Sequence, residues 1–199
     1  MNDTTQKYSK PAIILHGLTG LLIFIMFAIG WYMADLPKDV AKTATLDLFD
    51  LGIYKMQFAE AITPRTFYFN LHKSLGITVL ALIIVRVYVR ISKGYPVFPS
   101  TMKAWEVKLA DLVHKGLYLL MVAVPLSGLV MAVYSKYGIS WFGLQLVSGL
   151  DNSNVRGAFK EVHEIVGVVL MTGIVLHVAA AIKHKVVDKD DVLSRMSLK

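Results

Sequence analysis

Four histidines in this chain are spaced as ligands rather than as surface residues. His163 and His177 share one apolar stretch, VHEIVGVVLMTGIVLHVAAAI, with no Lys, Arg, Asp or Glu between 165 and 182. On an α-helix their fourteen-residue separation is a rise of about 21 Å with a rotational offset of roughly 40°, so both imidazoles leave one face at opposite depths. An ionisable group inside hydrocarbon is costly unless partnered, and such groups usually mark function. His16 and His72 open two other apolar stretches. In an antiparallel bundle His16 falls level with His177, and His72 with His163. Paired imidazoles are an axial arrangement for iron in a flat macrocycle, and bundle cores hold cofactors between facing helices.

A second spacing agrees. Each of the four has a glycine four residues toward the membrane centre, namely Gly20, Gly76, Gly167 and Gly173. That position lies beside the imidazole on the same helix face, where a side chain would meet a large ring. Glycine costs a helix about 1 kcal/mol against alanine, so the coincidence calls for a reason. The residues therefore predict two b haems, with His16, His72, His163 and His177 on the irons and the four glycines giving clearance. Glycine also serves plain helix packing, and clustered histidines also bind zinc. The two layers, however, lie about 20 Å apart, with only Glu164 in clear reach as a further ligand.

His114 and His184 lack the inward glycine, having Tyr118 and Ala180 there. Both fall in the layer of His16 and His177, with His184 about 10 Å beyond His177 on nearly the same face. They suit a headgroup-level pocket in which a quinone ring takes up electrons and protons. The plainer alternative is two solvated boundary histidines beside Lys115, Lys183 and Lys185.

Positioning these residues requires a membrane bundle. Of 199 residues, 55% are hydrophobic and the mean hydropathy is +0.56, the signature of a polytopic membrane protein. We expect an all-α integral membrane protein, a single domain over 1–199 built as a four-transmembrane-helix bundle with spans at 12–33, 71–91, 111–134 and 162–182. The first span is too long for a signal-peptide core and reads as uncleaved. The second has a charge-free interior of only 74–85, which Lys73, Arg86 and Arg90 extend by snorkelling. Pro125 should kink the third. Residues 35–69 form a polar outer connection broken by Pro37 and Pro64, and weak amphipathicity over 46–61 suggests a short surface helix. A second outer loop, 135–159, places Trp141 and Phe142 at the interface.

No cysteine is present, which excludes disulfides, iron–sulfur clusters and thioether-bound haem. The net charge of +7 is topogenic. Thirteen of the 21 Lys and Arg fall on the side of the termini, leaving +7 there and zero opposite. The positive-inside rule puts both termini in the cytoplasm and makes a nucleic-acid partner needless.

The stretches LHKSLG (71–76) followed by VRVYVRI, HKGLYLLMVAVPLSG (114–128), SWFG (140–143) and HEIVG…LHVAAAIKH…DKDDVLSRM (163–196), together with His16, resemble the prokaryotic di-haem cytochrome b561 family over about four-fifths of the chain. The resemblance implies a multi-pass protein of the bacterial inner membrane holding two haem b groups through His16, His72, His163 and His177. It extends to the superoxide oxidase branch, which implies oxidation of superoxide outside and reduction of ubiquinone, with His114 and His184 lining the quinone pocket. The 35–69 connection is longer than that branch leads one to expect. Three functions remain open from sequence: a superoxide:quinone oxidoreductase, a non-catalytic relay between an outer redox protein and the quinone pool, and a haem-free structural membrane protein. A basic funnel of Lys73, Lys136, Arg156 and Lys160 favours a small anion, although the outer side is neutral overall.

Overall fold

The computed structural model describes residues 7–99 and 101–198. Residues 1–6, Ser100 and Lys199 lie outside that description, and with them Lys199 of the charge count. Four helices are long and apolar enough to cross a bilayer: α1 (Lys10–Asp35), α2 (Pro64–Lys93), α3 (Ala104–Val133) and α4 (Ser153–Lys183). Each contains its expected span, to within a residue, and runs beyond it. Polar end turns outside the hydrocarbon keep the backbone bonds that hydropathy does not register. Their caps explain the starts. Thr63 accepts from the Thr66 amide at 3.1 Å with Pro64 at the first helical position, so Pro64 opens α2 rather than breaking the loop. Asn152 accepts from the Val155 amide at 3.2 Å and opens α4. α3 passes unbroken through Pro125.

The expected surface helix over 46–61 is absent. In its place β1 (Thr43–Asp47) and β2 (Lys55–Ile62) form an antiparallel hairpin, in register from Asp47 against Lys55 and irregular between Thr43 and Thr45. Met56 and Phe58 turn inward while Lys55 and Gln57 face out, a period of two. Gly52, at φ 70°, turns the chain and donates to both Asp47 carboxylate oxygens at 3.0 Å. A helical reading has no place for that turn. A second hairpin, β3 (Ile139–Trp141) with β4 (Leu144–Val147), lies against α2. The Trp141 indole donates to Thr78 Oγ1 at 3.2 Å and the Phe142 amide to Ser74 Oγ at 2.9 Å.

Two apolar clusters result. One, around Ile23, Val79, Ile83, Met121 and Leu170, fills the bundle centre. The other, around Ile29, Leu46 and Tyr68, joins the first hairpin to the C-terminal end of α1 and the N-terminal end of α2. Close backbone packing runs from α1 to α2, α2 to α3 and α3 to α4, whereas α4 does not pack closely on α1 or α2.

Candidate functional site

The gap between α4 and its two distant neighbours is bridged by imidazoles. His16 of α1 faces His177 of α4 with ring centres 6.1 Å apart, and His72 of α2 faces His163 of α4 at 6.2 Å. Both expected pairs are thus brought together, at nearly equal separations. Two imidazoles bound to one metal, each through a nitrogen at about 2 Å, place their ring centres about 6 Å apart. The donor set also suits an iron macrocycle better than a bare cation. Among the described residues, only His184, Asp188 and Asp190 bring three donor atoms of the kind that hold an ion within 4.8 Å of one another. A two-imidazole site needs its remaining ligands from the cofactor, which a porphyrin provides.

The outer pair is set by its neighbours. His163 Nδ1 lies 2.9 Å from the Val124 carbonyl, and a carbonyl only accepts, so this nitrogen carries the proton and Nε2 is left as a ligand. Ser127 Oγ, itself donating to the Val124 carbonyl at 2.7 Å, stands 3.1 Å from the same nitrogen. Gly128 makes room: a Cβ there would fall 3.0 Å from His163 Cε1. Gly30 does the same for His72, where a Cβ would fall 3.3 Å from Cε1. Among the described residues His72 Nδ1 has no hydrogen-bond partner although it is buried, and an unpaired polar atom in an apolar layer is costly.

The inner pair has a different companion. Arg86 does not snorkel to the boundary as the sequence suggested; it turns into the bundle. Its guanidinium donates to His16 Nδ1 at 2.7 Å and to Thr19 Oγ1 at 2.9 Å, and sits 5.2 Å from the Tyr118 ring centre. Thr19 is fully buried and anchored by its own bond to the Leu15 carbonyl at 2.6 Å. Among the described residues no carboxylate pairs with Arg86. Packing around the histidines outweighs the path to water because Thr19 and His16 offer acceptors in a layer otherwise lacking them.

Of the four inward glycines only Gly20 faces open space, a Cβ there meeting nothing within 4 Å. Gly76 and Gly167 lie at ordinary contact distance from a neighbouring helix, at Met26 and Phe27, and at Gly173 a Cβ would fall 3.1 Å from Leu117 Cδ2, a close α3–α4 approach. His114 joins the inner pair, its ring centre 5.4 Å from that of His177. His184 begins a single π-turn, His184–Asp188, where its Nδ1 donates to Asp190 at 2.7 Å and lies 3.2 Å from Asp188. At the His72–His163 end, Lys73 and Lys136 both lie over the Tyr137 ring, at 5.8 and 5.0 Å. Lys160 is paired with Glu164 at 2.6 Å, which removes one charge from the expected funnel.

Gly30, Gly128, Val124, Ser127 and Thr19 were not singled out from sequence as parts of the site. Only Gly128 carries a signal, lying one turn from Pro125 and opposite the helix that bears His163.

The model for prokaryotic cytochrome b561 matches residues 7–198. Cytochrome b561 homolog 1 of Escherichia coli (strain K12) is 26% identical over 195 residues, covering 96% of each chain. Cytochrome b561 homolog 2 of the same organism is 26% identical over 196 residues, 98% of this chain and 93% of its own. A probable superoxide oxidase CybB of Yersinia pestis is 30% identical over 129 residues, 63% of this chain and 72% of its own.

Proposed function

Because the chain belongs to the prokaryotic cytochrome b561 family, we propose that it holds two b haems, takes electrons from superoxide at its outer face and passes them to ubiquinone at its cytoplasmic side. Membership itself makes it a multi-pass, haem b-binding electron-transfer protein of the bacterial inner membrane. The observation that supports two haems is the pair of imidazole couples at 6.1 and 6.2 Å, each between helices whose backbones do not pack closely, while superoxide as donor rests on the likeness to the probable superoxide oxidase. His72 and His163 would hold the outer group, His16 and His177 the inner one. Haem, when bound, supplies a centre that accepts and releases one electron.

The protein's own residues do the rest. Val124 and Ser127 fix the His163 proton on Nδ1. For His16 to hold the group through Nε2, its proton would move to Nδ1 and Arg86 would give up that contact, keeping Thr19 and Tyr118 as partners of the guanidinium. Lys73, next to His72 in sequence, and Lys136 supply positive charge where an anion would approach. His114, against His177, is placed to serve a quinone near the inner pair. His184 is held by Asp190, an imidazole–carboxylate couple suited to passing a proton inward. Gly20 leaves volume of the kind that a ring requires. In the overall reaction two superoxide anions each lose one electron and leave as O2, and one quinone gains two electrons and two protons.

Stopped-flow mixing of the purified protein in lipid with superoxide tests this. The haem bands should reduce within the mixing experiment, quinol should then accumulate, and replacing Lys73 and Lys136 with Gln should slow reduction and flatten its salt dependence. Haems that answer to dithionite and quinol but stay oxidised with superoxide would favour the relay between an outer redox protein and the quinone pool.

A further inference from the structure

The first hairpin carries an apolar tip that no other part of the described chain covers. Leu51, Ile53 and Tyr54 are 63, 82 and 60% exposed. Its place is fixed by two tyrosines of the bundle. The Phe49 amide donates to Tyr68 Oη at 2.7 Å, and Tyr32 Oη donates to Asp50 Oδ2 at 2.7 Å. Phe49 and Asp50 both adopt the left-handed conformation, at φ 57° and 54°. Non-glycine residues hold it only where the surroundings impose it, at about 1–3 kcal/mol each. The Tyr32, Phe49 and Tyr68 rings, packed at centroid distances of 4.8 to 5.3 Å, provide that constraint.

The anchoring residues set the depth. Tyr68 is one turn outward from His72 on α2, about 6 Å along the axis, and α2 continues about 6 Å further out to Pro64. Tyr32 is two residues beyond Gly30, which lies against His72. The base of the tip is therefore tied to positions about one turn inside the ends of α1 and α2. Trp31, 67% exposed near the same end of α1, adds an aromatic of the kind found at membrane interfaces.

Part of the tip's polarity is satisfied within the protein. The Leu48 amide donates to the Tyr54 carbonyl at 2.8 Å, the Gly52 amide to Asp47 at 3.0 Å, and Asp50 is occupied by Tyr32. Lys55, exposed at the start of β2, can reach outward to lipid phosphate. We infer that Leu51, Ile53 and Tyr54 form an interfacial anchor that inserts the hairpin tip into the outer leaflet of the bilayer.

The chain has no cysteine, so single-cysteine variants report one position. Ile53→Cys, labelled with an environment-sensitive fluorophore and reconstituted in phosphatidylethanolamine–phosphatidylglycerol nanodiscs, is compared with Lys38→Cys in the exposed loop after α1. The label at 53 should emit to the blue, be quenched by lipids nitroxide-labelled high on the acyl chain, and be quenched several-fold less by aqueous iodide than the label at 38. Iodide quenching equal at both positions would overturn the anchor. So would protection from iodide without quenching by the labelled lipid, since that outcome means protein covers the tip. If Ile53→Cys does not yield a normal haem spectrum, Leu51→Cys answers the same question by the same criteria.

Discussion

The two imidazole pairs are held by different means at the level of single residues, and each should answer to substitution separately. His163→Ala should remove only the outer haem and His177→Ala only the inner one, so that a pyridine haemochrome assay falls from two groups per chain to one in each. Loss of both groups from a single folded variant would deny the two-layer arrangement. Gly20 gives a cleaner reading of the bound group's own volume. A Cβ there meets no protein atom within 4 Å, so Gly20→Leu should leave insertion unchanged while lowering inner-haem content. Full haem content in that variant would return the glycine to ordinary helix packing. Arg86 bears on electrochemistry. A fixed positive charge beside a centre disfavours its oxidised form, so Arg86→Gln should lower the midpoint potential of the inner haem and spare the outer one in a redox titration. The histidines and their glycines were legible because fourteen-residue and four-residue spacings convert directly into depth and face. Arg86 was not legible in this way. A charge near the end of an apolar run looks the same whether it turns out to water or inward to Thr19 and His16, and only packing separates the two.

Among the elements, the helices were recognisable from apolar length alone, while their ends were not. Caps such as Thr63 and Asn152 lie in polar sequence that a hydropathy window discards. The first outer connection misled for a related reason. A weak amphipathic pattern over 46–61 is compatible with a helix, whereas the hairpin depends on contacts remote in sequence, from Phe49 to Tyr68 and from Asp50 to Tyr32. Those bonds hold backbone that would not otherwise adopt its conformation. Tyr68→Phe removes the acceptor for the Phe49 amide in a buried setting, at a cost of about 1–3 kcal/mol. Because that cost falls on the hairpin, the expected outcome is faster proteolysis within 48–54 in reconstituted protein, with the haem spectrum retained. Equal cleavage rates for variant and parent would mean that the aromatic packing around Tyr68 suffices without the hydroxyl.

For the molecule as a whole, the order of close packing from α1 through α4 leaves α4 standing off from α1 and α2, and the histidine pairs occupy that separation. Between the two histidine layers α4 meets α1 and α2 through side chains, Leu170 packing with Ile23, Val79 and Ile83, where helices in lipid more often associate through close backbone approach. The same arrangement gives the molecule two chemically distinct ends. The end with His72 and His163 carries both hairpins and a neutral balance of charge; the end with His16, His177, His114 and His184 carries the excess of Lys and Arg. Charge asymmetry of this kind directs insertion, so the basic end should face the cytoplasm. Absence of native cysteine makes the orientation directly measurable. Lys38→Cys, in the outer connection, should react with a membrane-impermeant maleimide in intact spheroplasts. Lys189→Cys, past the π-turn that ends α4, should react only after lysis. The reverse labelling pattern would invert the molecule. It would then put Lys73 and Lys136 in the cytoplasm, where they could not draw an anion from outside the cell toward the His72 layer.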